Sequence, residues 1–126
     1  MKRGDRERLD DIAEAIATIR AQAADNTSDE RLKRDAILYN LLILGEAVKN
    51  LDEGTTAQRP EIPWKQIAGL RDLLAHEYYR IDIGMIEDII ERDLTALDAA
   101  VAVLRNRRAR GGKRSSARIK RRQRDA

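Results

Sequence analysis

One apolar stretch decides the fold of this chain: AILYNLLIL, which runs from Ala36 to Leu44. A helix formed by these residues is apolar almost all round, so it must be covered on most of its sides. In a chain of 126 residues, that cover requires either every other helix or a second copy of the same chain. Gly45 follows at once and permits the close approach of another helix. Glu46 then places a carboxylate beside this apolar surface, or else lies as a solvated residue at the helix edge.

Helical periodicity continues toward the amino terminus. A first helix is predicted from about Asp5 to Ala24, because apolar residues recur at spacings of three and four and form one stripe. The stripe consists of Leu9, Ile12, Ile16, Ile19 and Ala23. The central helix is predicted from near Ser28 to about Leu51, since Thr27 and Glu30 have the spacing of a capping box.

Two more helices are predicted toward the carboxyl terminus. Residues 52–63 form a loop, and Pro63 suits the first position of a third helix from Trp64 to about Tyr79. Asp82 is a good N-cap for a fourth helix from Gly84 to about Leu104. The predicted buried stripe of this helix is Ile86, Ile89, Ile90, Leu94, Leu97, Val101 and Leu104. The fold class is therefore all-α, an antiparallel helical bundle of four main helices.

The composition excludes several kinds of site. There is no cysteine, which excludes disulfides, thiolate zinc sites and cysteine nucleophiles, and the single histidine, His76, excludes a site with two imidazoles from one chain. No apolar run approaches the ~20 residues that cross a bilayer, and residues 1–15 lack a signal-peptide core. We therefore expect a cytoplasmic protein without membrane contact, and we predict no cofactor and no metal.

Charge is divided unevenly along the chain. Residues 105–126 hold eleven Arg and Lys against one acid, whereas the whole chain has a net charge of only +3. We predict a helical domain over residues 1–104 and a basic, flexible tail over residues 105–126. The tail either binds RNA through its phosphates or serves only as a solvated extension. Because no aromatic residue stands among its arginines, base stacking and sequence specificity are not expected.

The third helix contains the pattern R-x4-H-x-Y, formed by Arg71, His76 and Tyr78. On a helical wheel Arg71 falls in the middle of the apolar face, where a guanidinium needs a partner or a function. Asp72 and His76 are four residues apart, so Asp72 can hydrogen-bond to the imidazole and orient it. His76 could still be an ordinary structural residue near a helix end, and Tyr78 could pack its ring inward with its hydroxyl at the surface.

These residue types suit RNA cleavage better than other hydrolytic chemistry. The chain offers no nucleophile beyond hydroxyls and no cluster of metal ligands around Arg71 and His76, but RNA brings its own nucleophile in the 2′-hydroxyl. An imidazole can move that proton, and a guanidinium can bind the scissile phosphate in two places and neutralise charge as it builds up. One histidine per chain serves poorly as both acid and base, a difficulty that two facing copies would remove.

From about Leu9 to Leu104 the sequence resembles the HEPN superfamily, and within it the HepT-like toxins encoded beside MNT-type nucleotidyltransferase antitoxins. The resemblance is strongest at residues 36–51, which include Gly45-Glu46-Ala47, and at Pro60-Glu61-Ile62-Pro63-Trp64, which leads into the R-x4-H-x-Y pattern. It implies an HEPN-like homodimer that acts as a metal-independent endoribonuclease, the toxin of a type II or type VII-like toxin–antitoxin pair.

The resemblance also assigns roles to single residues. Arg71 would bind and polarise the phosphate and His76 would be the general base or acid, with Asp72 and Glu46 in support. The family often has Asn directly after the arginine, so Asp72 adds a negative charge near a polyanion. Tyr78 matches the tyrosine onto which the antitoxin can transfer AMP, which blocks the toxin. Two other interpretations stay open: a catalytically silent HEPN scaffold, and a small non-specific RNA-binding protein whose tail dominates.

Overall fold

The structure is a computed structural model that describes residues 3–26 and 29–112. Helices follow one another in it with short connections, and the described residues include no β-strand. In chain order they are α1 (Arg3–Ala24), α2 (Glu30–Lys49), α3 (Glu53–Thr56), α4 (Trp64–Ala68), α5 (Leu70–Glu77), a 3₁₀ turn (Tyr78–Arg80), α6 (Ile83–Asp88), a π-helical turn (Ile89–Asp93) and α7 (Leu94–Gly112). The predicted all-α fold class is confirmed.

Helices α1 and α2 form an antiparallel pair. At one end Asn40 of α2 donates a hydrogen bond to Gln22 of α1 over 3.4 Å. At the other end the carboxylate of Asp5 accepts a 3.2 Å hydrogen bond from the main-chain N–H of Asp52, just beyond α2. Asp5 is completely buried and also accepts a hydrogen bond from the hydroxyl of Thr55. A buried carboxylate that is satisfied in this way ties the loop after α2 to the start of α1.

Helix α7 packs antiparallel against α1. Arg20 and Asp98 form an ion pair of 2.7 Å, and Arg105 reaches Asp10 over 2.9 Å at the opposite end of α1. These side chains are largely exposed, so the pairs add little stability but fix the register of the two helices. The large apolar side chains of α1 and α7 that are fully buried are Leu9, Ile12, Ile16, Ile19, Leu94, Leu97, Val101 and Leu104. The two predicted stripes are confirmed at these positions, whereas Ala23, Ile89 and Ile90 are only partly buried and Ile86 lies outside the described side chains.

Helix α2 is covered on most of its sides, as its sequence predicts, but not on all. Seven residues of this helix are buried: Ile37, Leu38, Leu41, Leu44, Gly45, Ala47 and Val48. By contrast, Leu32 is 67% exposed and Tyr39 is 63% exposed. One side of α2 therefore keeps large apolar groups in water within a single chain.

Among the described residues no helix is both long enough and apolar enough to cross a membrane.

The start of α2 differs from the predicted one. Asp29 is the N-cap, and its carboxylate accepts hydrogen bonds from the N–H groups of Arg31 and Leu32 at 2.8 and 3.3 Å. The helix therefore begins at Glu30, two residues beyond the predicted start near Ser28, and the predicted capping box includes a residue that the structure does not describe. A carboxylate is a stronger acceptor than a hydroxyl at this position, because it also meets the positive end of the helix dipole. Thr27 and Ser28 lie outside the described residues.

The predicted third helix is divided by Gly69. It forms α4, α5 and the 3₁₀ turn in place of one helix from Trp64 to Tyr79, and Pro63 lies just before the first of them as its N-cap. The break lies against α2 at Gly45, where a Cβ atom would be 3.0 Å from the main-chain N of Arg71 and 3.2 Å from the carbonyl oxygen of Ile67. Gly45 thus allows the close approach that its sequence position suggests, and glycine at position 69 makes the interruption easy.

The predicted fourth helix has an interruption and a longer end. Asp82 accepts a 2.8 Å hydrogen bond from the N–H of Met85, which confirms it as the N-cap. The helix contains the π-helical turn at residues 89–93 and continues to Gly112, eight residues beyond Leu104. The first part of the predicted tail is therefore helical, and residues 113–126 lie outside the described residues. A boundary between domain and tail at residue 104 stays a prediction.

Candidate active site

The R-x4-H-x-Y motif lies on α5 and on the 3₁₀ turn that follows it. Helix α5 runs antiparallel to α2, because Arg71 near its start pairs with Glu46, and Tyr78 beyond its end bonds to Asp35. Leu74 between them is buried and anchors the middle of α5 in the core. Side chains of α2 therefore hold the motif at both of its ends.

Arg71 is held by a carboxylate and not by burial. Its Nε lies 2.8 Å from Oε1 of Glu46, and its Nη1 lies 3.3 Å from Oδ1 of Asp72. Because the Arg71 side chain is 44% exposed, the predicted place in the middle of a buried face is wrong. Within α5 Leu74 alone is buried, so the core-facing side of this helix is narrower than the helical wheel assumed.

Glu46 is itself oriented from within α2. Asn50, one turn later, donates from Nδ2 to Oε2 of Glu46 over 3.2 Å, so the two carboxylate oxygens bind different partners. Glu46 is therefore more than a solvated residue at the helix edge. Since the Glu46 and Arg71 side chains are both about half exposed, their ion pair contributes at most ~1 kcal/mol of stability. Its main effect is to fix the direction of the guanidinium.

His76 is exposed, and a main-chain atom orients it. Its Nδ1 lies 2.8 Å from the carbonyl oxygen of Asp72, one turn earlier in α5. The predicted hydrogen bond to the Asp72 side chain is wrong, because that carboxylate pairs with Arg71 instead. A carbonyl oxygen can only accept, so in the neutral imidazole the proton sits on Nδ1. This arrangement leaves Nε2 with a lone pair that can take a proton from a substrate.

Arg71 and His76 do not converge within one chain. Five positions along an α-helix correspond to a rotation of about 140° around its axis, so the two side chains leave α5 on different sides. Within the described residues Arg71 contacts Glu46 and Asp72, and the hydrogen bond of the His76 ring stays inside α5. One chain therefore holds the two functional groups near each other but not around one point.

A depression of about 410 Å³ lies beside Arg71. It is lined by Arg8, Asp11, Leu42, Ile43, Glu46, Ala47, Asn50 and Arg71. Arg8 brings a second guanidinium to this surface from α1, a residue that the sequence pattern does not single out. His76 is not among the lining residues. Within the described part of the chain, no three His, Asp or Glu side chains gather closely enough to hold a metal ion.

Tyr78 is held more firmly than a tyrosine that only packs its ring. Its hydroxyl donates a hydrogen bond of 2.6 Å to Oδ1 of Asp35, and the Arg34 guanidinium lies 5.3 Å from the ring centroid. The ring of Tyr79 meets it edge-on at 5.3 Å. The hydrogen bond to Asp35 raises the pKa of the Tyr78 phenol above 10.0, with partial burial and the Asp35 charge acting in the same direction and Arg34 opposing them.

Comparison with known proteins supplies the family. The sequence profile of the family described as ribonuclease HepT-like matches residues 7–104. The chain belongs to this HepT-like family. The match begins in α1 and ends in α7, so it covers every residue of the R-x4-H-x-Y motif together with Glu46, Asn50 and Asp35 on α2. No solved structure matches the chain significantly.

Individual relatives of this HepT-like chain are similarly named. A protein of Thermococcus cleftensis, named a probable ribonuclease HepT, is 33% identical over 83% of this chain and 99% of its own length. A candidate RNase of Methanocaldococcus jannaschii is 42% identical over 65% of this chain and 71% of its own length. Another protein of that organism, named a gamma-glutamylcyclotransferase and candidate RNase, is 32% identical over 71% of this chain. The chain spans only 42% of the length of this last relative.

The HepT-like site contains residues that sequence reasoning missed. Arg34 and Asp35 lie 43 or more positions before Tyr78, so no local spacing connects them with it. Arg8 reaches the depression from α1 in the same way, through the packing of the bundle. Asn50 had a usable signal, because a residue four positions after Glu46 lies on the same face of a helix.

Proposed function

We propose that this HepT-like protein is the toxin of a toxin–antitoxin pair and that it cleaves RNA as a metal-independent endoribonuclease. The observation that carries the proposal is the arrangement of α5 against α2. A guanidinium oriented by Glu46 and an exposed imidazole, whose Nδ1 is bound to the Asp72 carbonyl, lie on one short helix. The ribonuclease names of the relatives support the same class of substrate.

The proposed reaction needs only groups of the RNA and of this chain. The 2′-hydroxyl attacks the adjacent phosphorus while His76 accepts its proton at Nε2, and the bond to the 5′-oxygen breaks. Arg71 donates to the phosphate oxygens and neutralises the negative charge that grows on them. The departing 5′-oxygen takes up a proton from a second, protonated imidazole, and the products are a 2′,3′-cyclic phosphate and a 5′-hydroxyl. A metal ion has no step left to perform.

A homodimer would complete this site. Within one chain Arg71 and His76 leave α5 on different sides, and a single imidazole must serve as both base and acid. A second copy would bring another imidazole to protonate the leaving oxygen. A second copy would also bury the apolar side chains on the uncovered side of α2, where Leu32 is 67% exposed and Tyr39 is 63% exposed. We therefore propose that active sites form between two chains.

A nucleotidyltransferase antitoxin is the proposed partner. It would transfer AMP to the Tyr78 hydroxyl and so silence the toxin. The resemblance to HepT-like toxins supports this proposal, and so does the position of Tyr78, two residues after the proposed catalytic His76. A cytoplasmic location and a tail that binds RNA remain predictions from the sequence.

Two substitutions test the proposed chemistry. His76→Ala and Arg71→Ala should each abolish cleavage of a fluorescent RNA while leaving the helical content and the dimer unchanged. Arg92→Ala, which removes an exposed arginine paired with Asp88, is the matched control and should cleave normally. Cleavage should persist in EDTA and leave 2′,3′-cyclic ends. Full activity of His76→Ala would show that His76 is not the catalytic base and would overturn the proposed mechanism. No cleavage by the unchanged protein would favour a catalytically silent HEPN scaffold.

A further inference from the structure

Two consecutive residues of α2, Arg34 and Asp35, hydrogen-bond to the turn that follows His76. Arg34 donates from Nη2 to the carbonyl oxygens of Tyr78 and Ile81, at 3.1 and 2.8 Å. Asp35 accepts the hydrogen bond from the Tyr78 hydroxyl at 2.6 Å. One pair of neighbours on α2 therefore binds both the backbone and the side chain of the same turn.

Arg34 and Asp35 also form an ion pair with each other. Nη1 of Arg34 lies 3.2 Å from Oδ1 of Asp35, the same oxygen that accepts the Tyr78 hydrogen bond. The Arg34 side chain is only 22% exposed, so water competes weakly for its hydrogen bonds. Hydrogen bonds of this kind, to a charged group in a partly dry place, are among the stronger ones in proteins. The end of α5 is thus anchored to α2 by a small connected network.

His76 lies close to this anchor along the chain. Within the described residues the ring of His76 hydrogen-bonds only to its own helix, at the carbonyl of Asp72. Its place relative to α2 is then set by the two fixed points of α5 around it. One is the buried Leu74, two residues earlier, and the other is Tyr78, two residues later. Catalytic geometry is sensitive to such anchors, since a shift of ~1 Å can cost about a hundredfold in rate.

We propose that the Asp35–Tyr78 hydrogen bond positions His76 for cleavage, and that nucleotidyl transfer to Tyr78 silences the protein by breaking this bond. Asp35 and Tyr78 are then positioning residues that act through His76. The inference rests on the proposed function and adds the means by which modification reaches the active site. It differs from a simple block, in which an attached nucleotide would only fill the cleft.

Nucleotidyl transfer to the Tyr78 hydroxyl would release the turn from α2. The Tyr78 oxygen attacks the α-phosphorus of a nucleoside triphosphate, the new O–P bond forms, the bond to the β-phosphate bridge breaks, and pyrophosphate leaves. The phenolic proton passes to Asp35, to which it is already hydrogen-bonded. The resulting phosphodiester has no hydrogen to donate and has one negative charge. Asp35 then releases the phenolic proton to solvent and is ionised again. Two anions would face each other where a hydrogen bond had been, so the turn would lose its anchor on α2.

Tyr78→Phe distinguishes loss of the Asp35–Tyr78 hydrogen bond from a simple block of the cleft by an attached nucleotide. It removes the donated hydrogen but keeps the ring and adds neither bulk nor charge. We expect kcat to fall at least about tenfold, with KM for RNA changed less than about twofold. Tyr79→Phe is the matched control, because Tyr79 is 94% exposed, and its kcat should equal that of the unchanged protein. Under a simple block, Tyr78→Phe would cleave as fast as the unchanged protein, and that result would overturn the proposal.

Substitutions of Asp35 give a second, independent test of the positioning role. Asp35→Asn keeps an oxygen that can accept from the Tyr78 hydroxyl, whereas Asp35→Ala keeps none. Cleavage should therefore fall strongly in Asp35→Ala and be largely restored in Asp35→Asn. Equal kcat values for Asp35→Ala and the unchanged protein would contradict a positioning role. Thermal unfolding of all variants shows whether each one is folded.

Hydrogen exchange tests the anchor without any reference to activity. The main-chain amides of residues 77–81 should exchange faster in Tyr78→Phe and Asp35→Ala than in Tyr79→Phe. Unchanged exchange would overturn the anchor even if cleavage falls. Conversely, if the unchanged protein does not cleave RNA but these amides exchange faster in the variants, the proposed function fails while the anchor stands. The two failures are therefore distinguishable.

Discussion

Oε1 of Glu46 lies 2.8 Å from Nε of Arg71, so a carboxylate on α2 aims the guanidinium that α5 carries. The relationship has two opposite effects on an RNA substrate. In the proposed reaction it would orient Arg71 toward an incoming phosphate, yet it would also place a negative charge beside a polyanion. Because the ion pair contributes little stability where both partners are about half exposed, its consequences should be visible in catalysis and not in folding.

Glu46→Gln should lower kcat and tighten RNA binding. The amide keeps an oxygen near Arg71 but loses the charge, so the guanidinium is less firmly aimed while the repulsion of phosphate is reduced. We expect kcat to fall about tenfold and the Kd for RNA to decrease, with the free energy of unfolding changed by less than about 1 kcal/mol. Single-turnover cleavage and fluorescence anisotropy measure the two effects.

The control for this substitution is Glu61→Gln. Glu61 forms an exposed 2.6 Å ion pair with Arg59 in the segment before α4, so it offers the same chemical change in another ion pair. Neither kcat nor RNA affinity should change in this variant. An unaltered kcat in Glu46→Gln itself would mean that Arg71 does not depend on α2 for its direction.

Features that depend on local chemistry could be predicted from the sequence. The stripes of α1 and α7 follow from a spacing of three and four residues, and the buried Ile12 and Leu97 lie on them. Asp82 is the N-cap that its residue type and position suggest. Gly45 also lies where α2 and the α4–α5 segment approach each other closely. These outcomes need only the neighbours in the chain.

Features that depend on tertiary packing could not be predicted. An i, i+4 rule places Asp72 within reach of His76, but it cannot decide whether that carboxylate turns to the imidazole or to Arg71. The partner of Tyr78 is Asp35, on a different helix, and only the antiparallel packing of α5 on α2 brings them together. The interruption of the helix at Gly69 could not be predicted either, since isolated glycines are tolerated inside many helices.

Gly45→Ala should destabilise the protein although alanine is the better helix former. Intrinsic propensity favours alanine by ~1 kcal/mol. The new Cβ atom, however, would be 3.0 Å from the main-chain N of Arg71 and 3.2 Å from the carbonyl of Ile67, and backbone atoms cannot turn away. Forcing the helices apart costs about 1–3 kcal/mol, so the net change is a loss of stability and of cleavage.

Urea unfolding of Gly45→Ala beside Gly84→Ala measures this balance. At Gly84 a Cβ atom would be 3.4 Å from Oδ1 of Asp82, an ordinary contact. Stability should therefore be unchanged or slightly raised in Gly84→Ala. If Gly45→Ala proved as stable as Gly84→Ala and as active as the unchanged protein, close contact at the α4–α5 break would have no functional importance.

Alkaline pH should weaken the anchor at Tyr78. The hydrogen bond to Asp35 raises the pKa of this phenol above its ordinary value of 10.0 in the folded protein. A raised pKa means that folding favours the protonated form. The stabilisation is therefore complete at pH values below the pKa of the unfolded phenol, and it is lost as pH rises through the higher folded value.

The difference in unfolding free energy between the unchanged protein and Tyr78→Phe isolates this effect, because all other groups titrate in both. That difference should be constant at neutral pH and shrink once the pH passes 10.0, the ordinary value. Asp35→Asn removes the charge that favours the protonated phenol, so in this variant the Tyr78 pKa should move back toward that value. A difference that stays constant with pH would show that the hydroxyl is not held by Asp35 in solution.

Removing residues 113–126 should weaken RNA binding at low salt without loss of cleavage. This segment holds seven Arg and Lys against one acid, and each phosphate contact adds roughly 0.7 to the salt dependence on single strands. The shortened chain should end after Gly112 and not at Leu104, since α7 continues to Gly112 and Arg105 pairs with Asp10 of α1 over 2.9 Å. RNA affinity measured against salt should give a smaller slope for the shortened chain, while kcat at saturating RNA stays equal because Arg71 and His76 are intact. Equal slopes for the two chains would show that the segment does not contact RNA, and its charge would then serve solubility or the acidic surface of a partner.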